Sequence, residues 1–80
     1  MLDLQNKTIG QIAWIIANDW KKVNYAASPY LDAMMSLESV NDNFGSDSGR
    51  SIVAYFLCNA NSWHGEVAKE VKKHLKALVK

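Results

Sequence analysis

Apolar residues recur at helical spacing in four segments of the chain, and short polar stretches separate these segments. A spacing of three and four residues places the apolar side chains of a segment on one side of a helix, facing a core. We therefore predict an all-α fold, a small bundle of about four helices with one longer polar loop at 41–47. The chain of 80 residues is expected to form a single domain, 1–80, with helices at 8–22, 29–39, 48–61 and 63–79.

The predicted helix starts carry residues that cap helices. Thr8 and Gln11 have the spacing of a capping box, in which each side chain accepts a hydrogen bond from the backbone N–H of the other residue. Pro29 suits the first position of a helix, where its missing N–H costs nothing. The residues predicted to cap or open the second, third and fourth helices are Ser28, Asp47 or Ser48, and Ser62.

Residues 52–58 are rich in β-branched and aromatic side chains, which also favour a buried strand. We predict a helix, because no other segment has a strand pattern and a lone strand leaves its backbone unpaired. Cys58 ends this apolar run and is the only cysteine, so we expect a buried, reduced thiol, no disulfide and a cytoplasmic protein. No apolar run approaches the roughly 20 residues of a membrane span, and no leader pattern opens the chain.

The net charge of +1 conceals a basic C-terminal segment. Helical spacing places its lysines on the side opposite the apolar residues, where they form a solvated face or bind a partner. Such a face suits a phosphate backbone or an acidic protein, although no aromatic or amide side chain is interleaved to read bases. The candidate contact residues are Lys69, Lys72, Lys73 and Lys76, followed by Lys80.

Trp14 projects from the polar side of the first predicted helix, between Gly10 and Asn18. Either the N-terminal arm with Leu2 and Leu4 covers it, or a loop covers it, or it is exposed. Exposed tryptophans are enriched at the centres of protein interfaces, so Trp14 is a second candidate contact.

The polar stretch 41–51, NDNFGSDSGRS, is interpreted mainly as a connection between helices. In this interpretation Gly45 adopts a left-handed conformation, Phe44 anchors the loop to the core and Arg50 pairs with an acid. The alternative is an anion site at the start of the third helix, formed by Gly45, Ser48, Gly49 and Arg50. The spacing of the stretch does not fit a calcium loop, a protease nucleophile or a phosphate-binding loop.

The last helix also holds acids and histidines that metal ions can use. Glu66, Glu70 and His74 recur every four residues along one edge, but pairing of these acids with nearby lysines is the more common arrangement. His64 is interpreted as a polar residue of the first helical turn. We expect no metal, no cofactor and no catalytic residue, because no nucleophile with a base and no paired acids can be assembled.

Two segments, TIGQIAWIIANDWKKVNYAASPYLDAM and NDNFGSDSGRSIVAYFLCNANSWHGEVAKEVKKHL, resemble a group of short uncharacterised proteins of bacteriophages, prophages and other mobile elements. The resemblance covers nearly the whole chain and implies a complete accessory protein in the cytoplasm of a bacterial host. It implies no particular activity. We predict a non-enzymatic protein-interaction module that binds a host or phage protein, with nucleic-acid or nucleotide binding and self-association as alternatives.

Overall fold

Four segments of residues 3–80, the part of the chain that the structure describes, form α-helices in the computed structural model. Leu2 lies outside these residues. The helix predicted over 52–58, despite its strand-like composition, is confirmed. The helices are α1 (Ile9–Asp19), α2 (Ser28–Met34), α3 (Gly49–Cys58) and α4 (Glu66–Leu78).

Two short strands, β1 (Asn43–Phe44) and β2 (Asp47–Ser48), form an antiparallel hairpin. The hairpin lies in the predicted loop 41–47 and extends one residue beyond it. Asn43 pairs with Ser48, and Phe44 pairs with Asp47. Gly45 has a φ of 63° at the turn, which confirms the left-handed conformation predicted for it. The fold is therefore mostly helical, and the prediction of an all-α chain is wrong at this hairpin, because a two-residue turn folds the polar stretch back on itself.

The core lies between the four helices, which contact one another in the order α1, α2, α3, α4 and back to α1. All four helices and the segment before α4 contribute side chains to it. Full burial of one large apolar side chain stabilises a fold by about 1.5–3 kcal/mol, so this set holds the helices together. The largest fully buried side chains are Trp63, Phe56, Ile12, Ile16, Met34, Leu75, Val53 and Val71.

The chain leaves α2 earlier than predicted, at Met34 rather than 39. It turns so that the carbonyl oxygens of Leu37 and Glu38 accept hydrogen bonds from the N–H groups of Gly10 and Ile9, at 2.8 and 3.1 Å. These two N–H groups belong to the first turn of α1, which has no acceptors of its own. A Cβ on Gly10 would lie 2.6 Å from the carbonyl oxygen of Met35, so this close approach requires glycine.

The segment that continues this turn also satisfies the start of α3. The carbonyl oxygens of Val40 and Asp42 accept hydrogen bonds from the N–H groups of Arg50 and Gly49, at 2.9 and 2.6 Å. The Asp42 carboxylate accepts a further hydrogen bond from the backbone N–H of Glu38 at 2.8 Å. Residues 37–42, which we call the central turn, therefore hold the N-termini of both α1 and α3.

The capping predictions are correct for α1 and α3 and wrong for the other two helices. Thr8 and Gln11 form the capping box, and the Ser48 hydroxyl accepts from the Ser51 N–H. Ser28 is already the first helical residue and does not cap, because the turn before it starts the helix one residue earlier than predicted and leaves Ala27 at the cap position. The largest remaining boundary differences are the end of α1 at Asp19 instead of 22, the end of α3 at Cys58 instead of 61, and the start of α4 at Glu66 instead of 63.

Two predicted burials are wrong. Cys58 is exposed, because the helical spacing of α3 turns it to the side opposite the buried Ile52, Val53 and Phe56. Phe44 does not anchor its loop to the core, because the hairpin leaves it exposed, with a relative accessibility of 47% for the residue.

Candidate functional site

α4 presents a buried apolar side and a basic side. Ala68, Val71 and Leu75 are buried in the core. On the other side the structure brings together the five lysines that the sequence singled out, which we call the lysine face. All of them except the half-buried Lys72 are exposed: Lys69, Lys73, Lys76 and Lys80.

Lys72 differs from the other lysines because it is held against the protein. Its Nζ donates a hydrogen bond to the backbone carbonyl oxygen of Trp63 at 2.7 Å and lies 5.9 Å from the centre of the Trp63 ring. Partial burial lowers the pKa of Lys72 from the ordinary value of 10.5, and the charge of Lys76 lowers it further. The ammonium therefore has a fixed position and incomplete hydration.

A cleft of about 300 Å³ opens beside Lys72 at the start of α4; we call it the α4 cleft. The cleft brings His64 together with two members of the lysine face. No acidic side chain among the described residues lines it. Its lining residues are Trp63, His64, Gly65, Ala68, Lys69 and Lys72.

Trp63 forms the inner wall of the cleft and is itself fixed on its far side. Its ring stacks on Trp20, with 5.8 Å between ring centres and 12° between planes. The indole Nε1–H donates to the carboxylate of Asp19 at 2.8 Å. Because Trp63 is only 2% exposed, its ring is not available to stack on a ligand.

Gly65 explains why the sequence did not predict this cleft. Its φ of 112° and ψ of −179° cannot occur inside a right-handed helix, so α4 starts only after it. His64 consequently lies outside the helix, in the segment that borders the cleft, rather than in a first helical turn. The glycine immediately before Glu66 was the signal in the sequence for this later start.

Trp14 is exposed, with a relative accessibility of 62% for the residue. This exposure shows that neither the N-terminal arm nor a loop covers Trp14, and Leu4 is instead buried in the core. Trp14 lies on a regular helix whose opposite side, including Ile12, Ala13 and Ile16, is fully buried. α1 therefore presents this indole to solvent in a defined position.

Other aromatic side chains are exposed at separate places on the fold. Tyr25 is 90% exposed in the connection between α1 and α2, and Tyr55 is half exposed on α3. Tyr55 lies against Tyr30 of α2, with 5.5 Å between ring centres. These tyrosines therefore lie on other elements than Trp14.

The donors of the predicted anion site at the start of α3 are already used. The N–H groups of Gly49 and Arg50 bind the central turn, and the N–H of Ser51 binds the Ser48 hydroxyl. The Arg50 guanidinium donates through Nη1 to the carbonyl oxygen of Leu78 at 2.9 Å, not to an acid as predicted. An anion near Gly45 and Ser48 would compete with these acceptors, so the geometry gives this site no support.

Glu66, Glu70 and His74 do not form a metal-binding group with any neighbour. Within residues 3–80, no three His, Cys, Asp or Glu side chains lie close enough together to hold a metal ion. His74 instead lines a hollow of about 470 Å³ together with Asn41 of the central turn and Lys7.

None of the helices formed by the described residues is long and apolar enough to cross a membrane. The expectation of a cytoplasmic location and the resemblance to phage proteins both stay predictions. Comparisons with protein-family models, with curated proteins and with solved structures found no match for this chain.

Proposed function

We propose that this protein is a non-enzymatic interaction module that binds a protein partner through Trp14. The observation that carries this proposal is that Trp14, on a regular helix, has a relative accessibility of 62%. Tryptophan is enriched among the residues that contribute most to protein–protein affinity, because its large ring removes much apolar surface from water when it is buried.

The helix supports this role by fixing the direction of the indole. The buried side of α1 locks the helix onto the core, and an aromatic ring has only two side-chain torsions to lose on binding. Asn18, one helical turn after Trp14, is exposed on the same side and offers polar contacts at the rim. The expected partner is a protein with an apolar pocket that accepts an indole.

The resemblance to phage and mobile-element proteins supports a bacterial setting for this interaction. In that setting the partner is a host or phage protein in the bacterial cytoplasm.

Affinity capture from bacterial lysate, with and without nuclease, tests the proposal. The wild type should retain a discrete protein that survives nuclease, and Trp14→Ala should lose it while keeping its thermal unfolding midpoint. Tyr25→Ala is the matched control, because it removes an aromatic ring that is 90% exposed on another part of the surface. Retention of the same protein by Trp14→Ala would refute the role of Trp14.

Nucleic-acid binding by the lysine face is a second candidate, supported by the exposure of three lysines on α4 and of Lys80 just after its end. Contacts to a phosphate backbone release counterions, so log K should fall with log salt concentration by about 0.9 per phosphate contacted. Replacing Lys73 and Lys76 by Glu should abolish binding to duplex or single-stranded oligonucleotides. Absence of binding by the wild type at low salt excludes this candidate.

A further inference from the structure

We propose that the α4 cleft is a binding site for a terminal phosphate group, free or carried as a monoester, with Lys69, Lys72 and His64 as its ligands. This inference is independent of the protein-interaction function proposed for Trp14, which lies on another helix. It rests on the side chains that converge on the cleft and on the absence of any acidic side chain among its described lining residues.

The cleft concentrates positive charge and hydrogen-bond donors. Lys69 and Lys72 each carry three ammonium donors, and His64 donates from a ring nitrogen in its neutral and its protonated form. Hydrogen bonds from ammonium groups to phosphate oxygens are short and about twice as strong as neutral ones. Three such side chains around one opening suit a compact group with several anionic oxygens.

Lys72 is positioned in advance of any ligand. Its hydrogen bond to the Trp63 carbonyl oxygen uses one of the three ammonium protons and fixes the nitrogen beside the cleft. The other two protons remain able to bind an anion. Partial burial and the nearby charge of Lys76 make the charged form of Lys72 less favourable, which lowers its pKa. An anion bound at Lys72 would offset both effects by stabilising the charged form.

The entry to the cleft is open at Gly65. A Cβ built on this residue would have no neighbour within 4 Å, and no side chain caps the helix that follows. The first-turn N–H groups of α4 have no acceptors within the helix, and they add donors beside the basic side chains. These N–H groups add to a site whose main ligands are the two lysines and the histidine.

The volume of the cleft and the residues that line it indicate which class of ligand it can bind. Its volume of about 300 Å³ is at the lower end for small-molecule sites, which fits one phosphate group with a short attachment. The Trp63 ring is buried, so no aromatic surface is offered to a base. The site therefore recognises the phosphate itself, and inorganic phosphate, a mononucleotide or the 5′ end of a nucleic acid can supply it.

NMR titration of the full chain tests this inference. Inorganic phosphate and AMP should shift the signals of His64 and of the amides from Gly65 to Ala68, and adenosine should not. A 5′-phosphorylated oligonucleotide compared with its unphosphorylated form shows whether a nucleic-acid end is accepted as a source. If neither inorganic phosphate nor AMP shifts these signals, the proposal is wrong.

Two lysine variants separate the cleft from the general charge of α4. Lys69 and Lys73 are both exposed on the same helix, but only Lys69 lines the cleft. Lys69→Gln should weaken phosphate binding by about tenfold or more, and Lys73→Gln should change it by less than about twofold. Equal effects of the two changes on phosphate affinity, or no effect of Lys69→Gln, would overturn the site. The Trp14→Ala variant should bind phosphate with the affinity of the wild type.

Discussion

Lys72 is a charged surface residue that makes direct contact with a core residue, Trp63. Its ammonium group binds the backbone of Trp63, while the bulk of that tryptophan is enclosed by Trp20 and Phe56. Water is partly removed from the charge, and Lys76 lies close enough to repel it. The charged form is therefore less favourable in the folded protein than in the unfolded chain.

This environment predicts a pKa for Lys72 below 10.5, with partial burial as the larger cause. Lys76→Gln removes the repulsion and leaves the burial, so the pKa of Lys72 should rise but stay below 10.5. Titration of lysine side chains by NMR measures both values. An unchanged pKa of Lys72 in Lys76→Gln would show that the two ammonium groups do not interact.

The same shift predicts how Lys72 changes stability with pH. Below its folded-state pKa, Lys72 is charged in both states, and the folded protein carries the cost of desolvation. As pH rises from there to 10.5, the unfolded chain binds more protons than the folded protein, so this group makes the free energy of unfolding increase. Chemical denaturation at several pH values should show that the free energy of unfolding of the wild type increases over this range relative to that of Lys72→Gln.

Among the elements, α3 depends on a single side-chain cap. The Ser48 hydroxyl accepts from the N–H of Ser51 at 3.1 Å, at the point where the hairpin ends and the helix begins. Ser48→Ala should lower the free energy of unfolding by about 1 kcal/mol. Ser46→Ala is the control, because Ser46 is exposed and its side chain makes no hydrogen bond within the described residues. Equal stability of the two variants in urea denaturation would contradict the capping role.

The elements also show what the sequence could predict. Spacing of apolar residues identifies four helices, and the local pair Thr8 and Gln11 identifies the start of α1. The early end of α2 could not be predicted, because it depends on contacts between residues almost thirty positions apart. The carbonyl groups of Leu37 and Glu38, in the turn after α2, accept hydrogen bonds from the start of α1. The burial of individual residues within a helical run could not be predicted either, as the exposed Cys58 shows.

The candidate sites also differ in whether local sequence patterns could predict them. The lysine face was predictable, because it lies within one helix and helical spacing defines it. The α4 cleft was not, because it depends on the backbone at Gly65, which places His64 beside Lys69 and Lys72. The exposure of Trp14 depended on where the N-terminal residues pack, and no local pattern specifies that.

At the scale of the whole molecule, the central turn connects elements that are distant in sequence. Its carbonyl groups accept hydrogen bonds from the first N–H groups of α1 and of α3. Arg50 extends the connection from α3 to the end of α4 through its bond to the carbonyl oxygen of Leu78. A change in the central turn should therefore affect several helices together.

Asp42 is the side chain that stabilises this turn from within. One carboxylate oxygen accepts from the N–H groups of Glu38 and Ser39, at 2.8 and 3.3 Å. Asp42→Ala removes both bonds and should lower the free energy of unfolding by about 1–2 kcal/mol, because hydrogen bonds to charged groups contribute more than neutral ones. Asp47→Ala is the matched control, since the Asp47 side chain makes no hydrogen bond within residues 3–80.

Amide hydrogen exchange distinguishes a connection between helices from a local effect of Asp42→Ala. The N–H groups of Gly10 in α1 and Gly49 in α3 both bind carbonyl groups of the central turn. If the turn holds both helix starts, the two amides should exchange faster together in Asp42→Ala and stay protected in Asp47→Ala. Faster exchange at Gly49 alone would mean that the turn supports only the helix next to it in sequence, and that α1 is held by its packing.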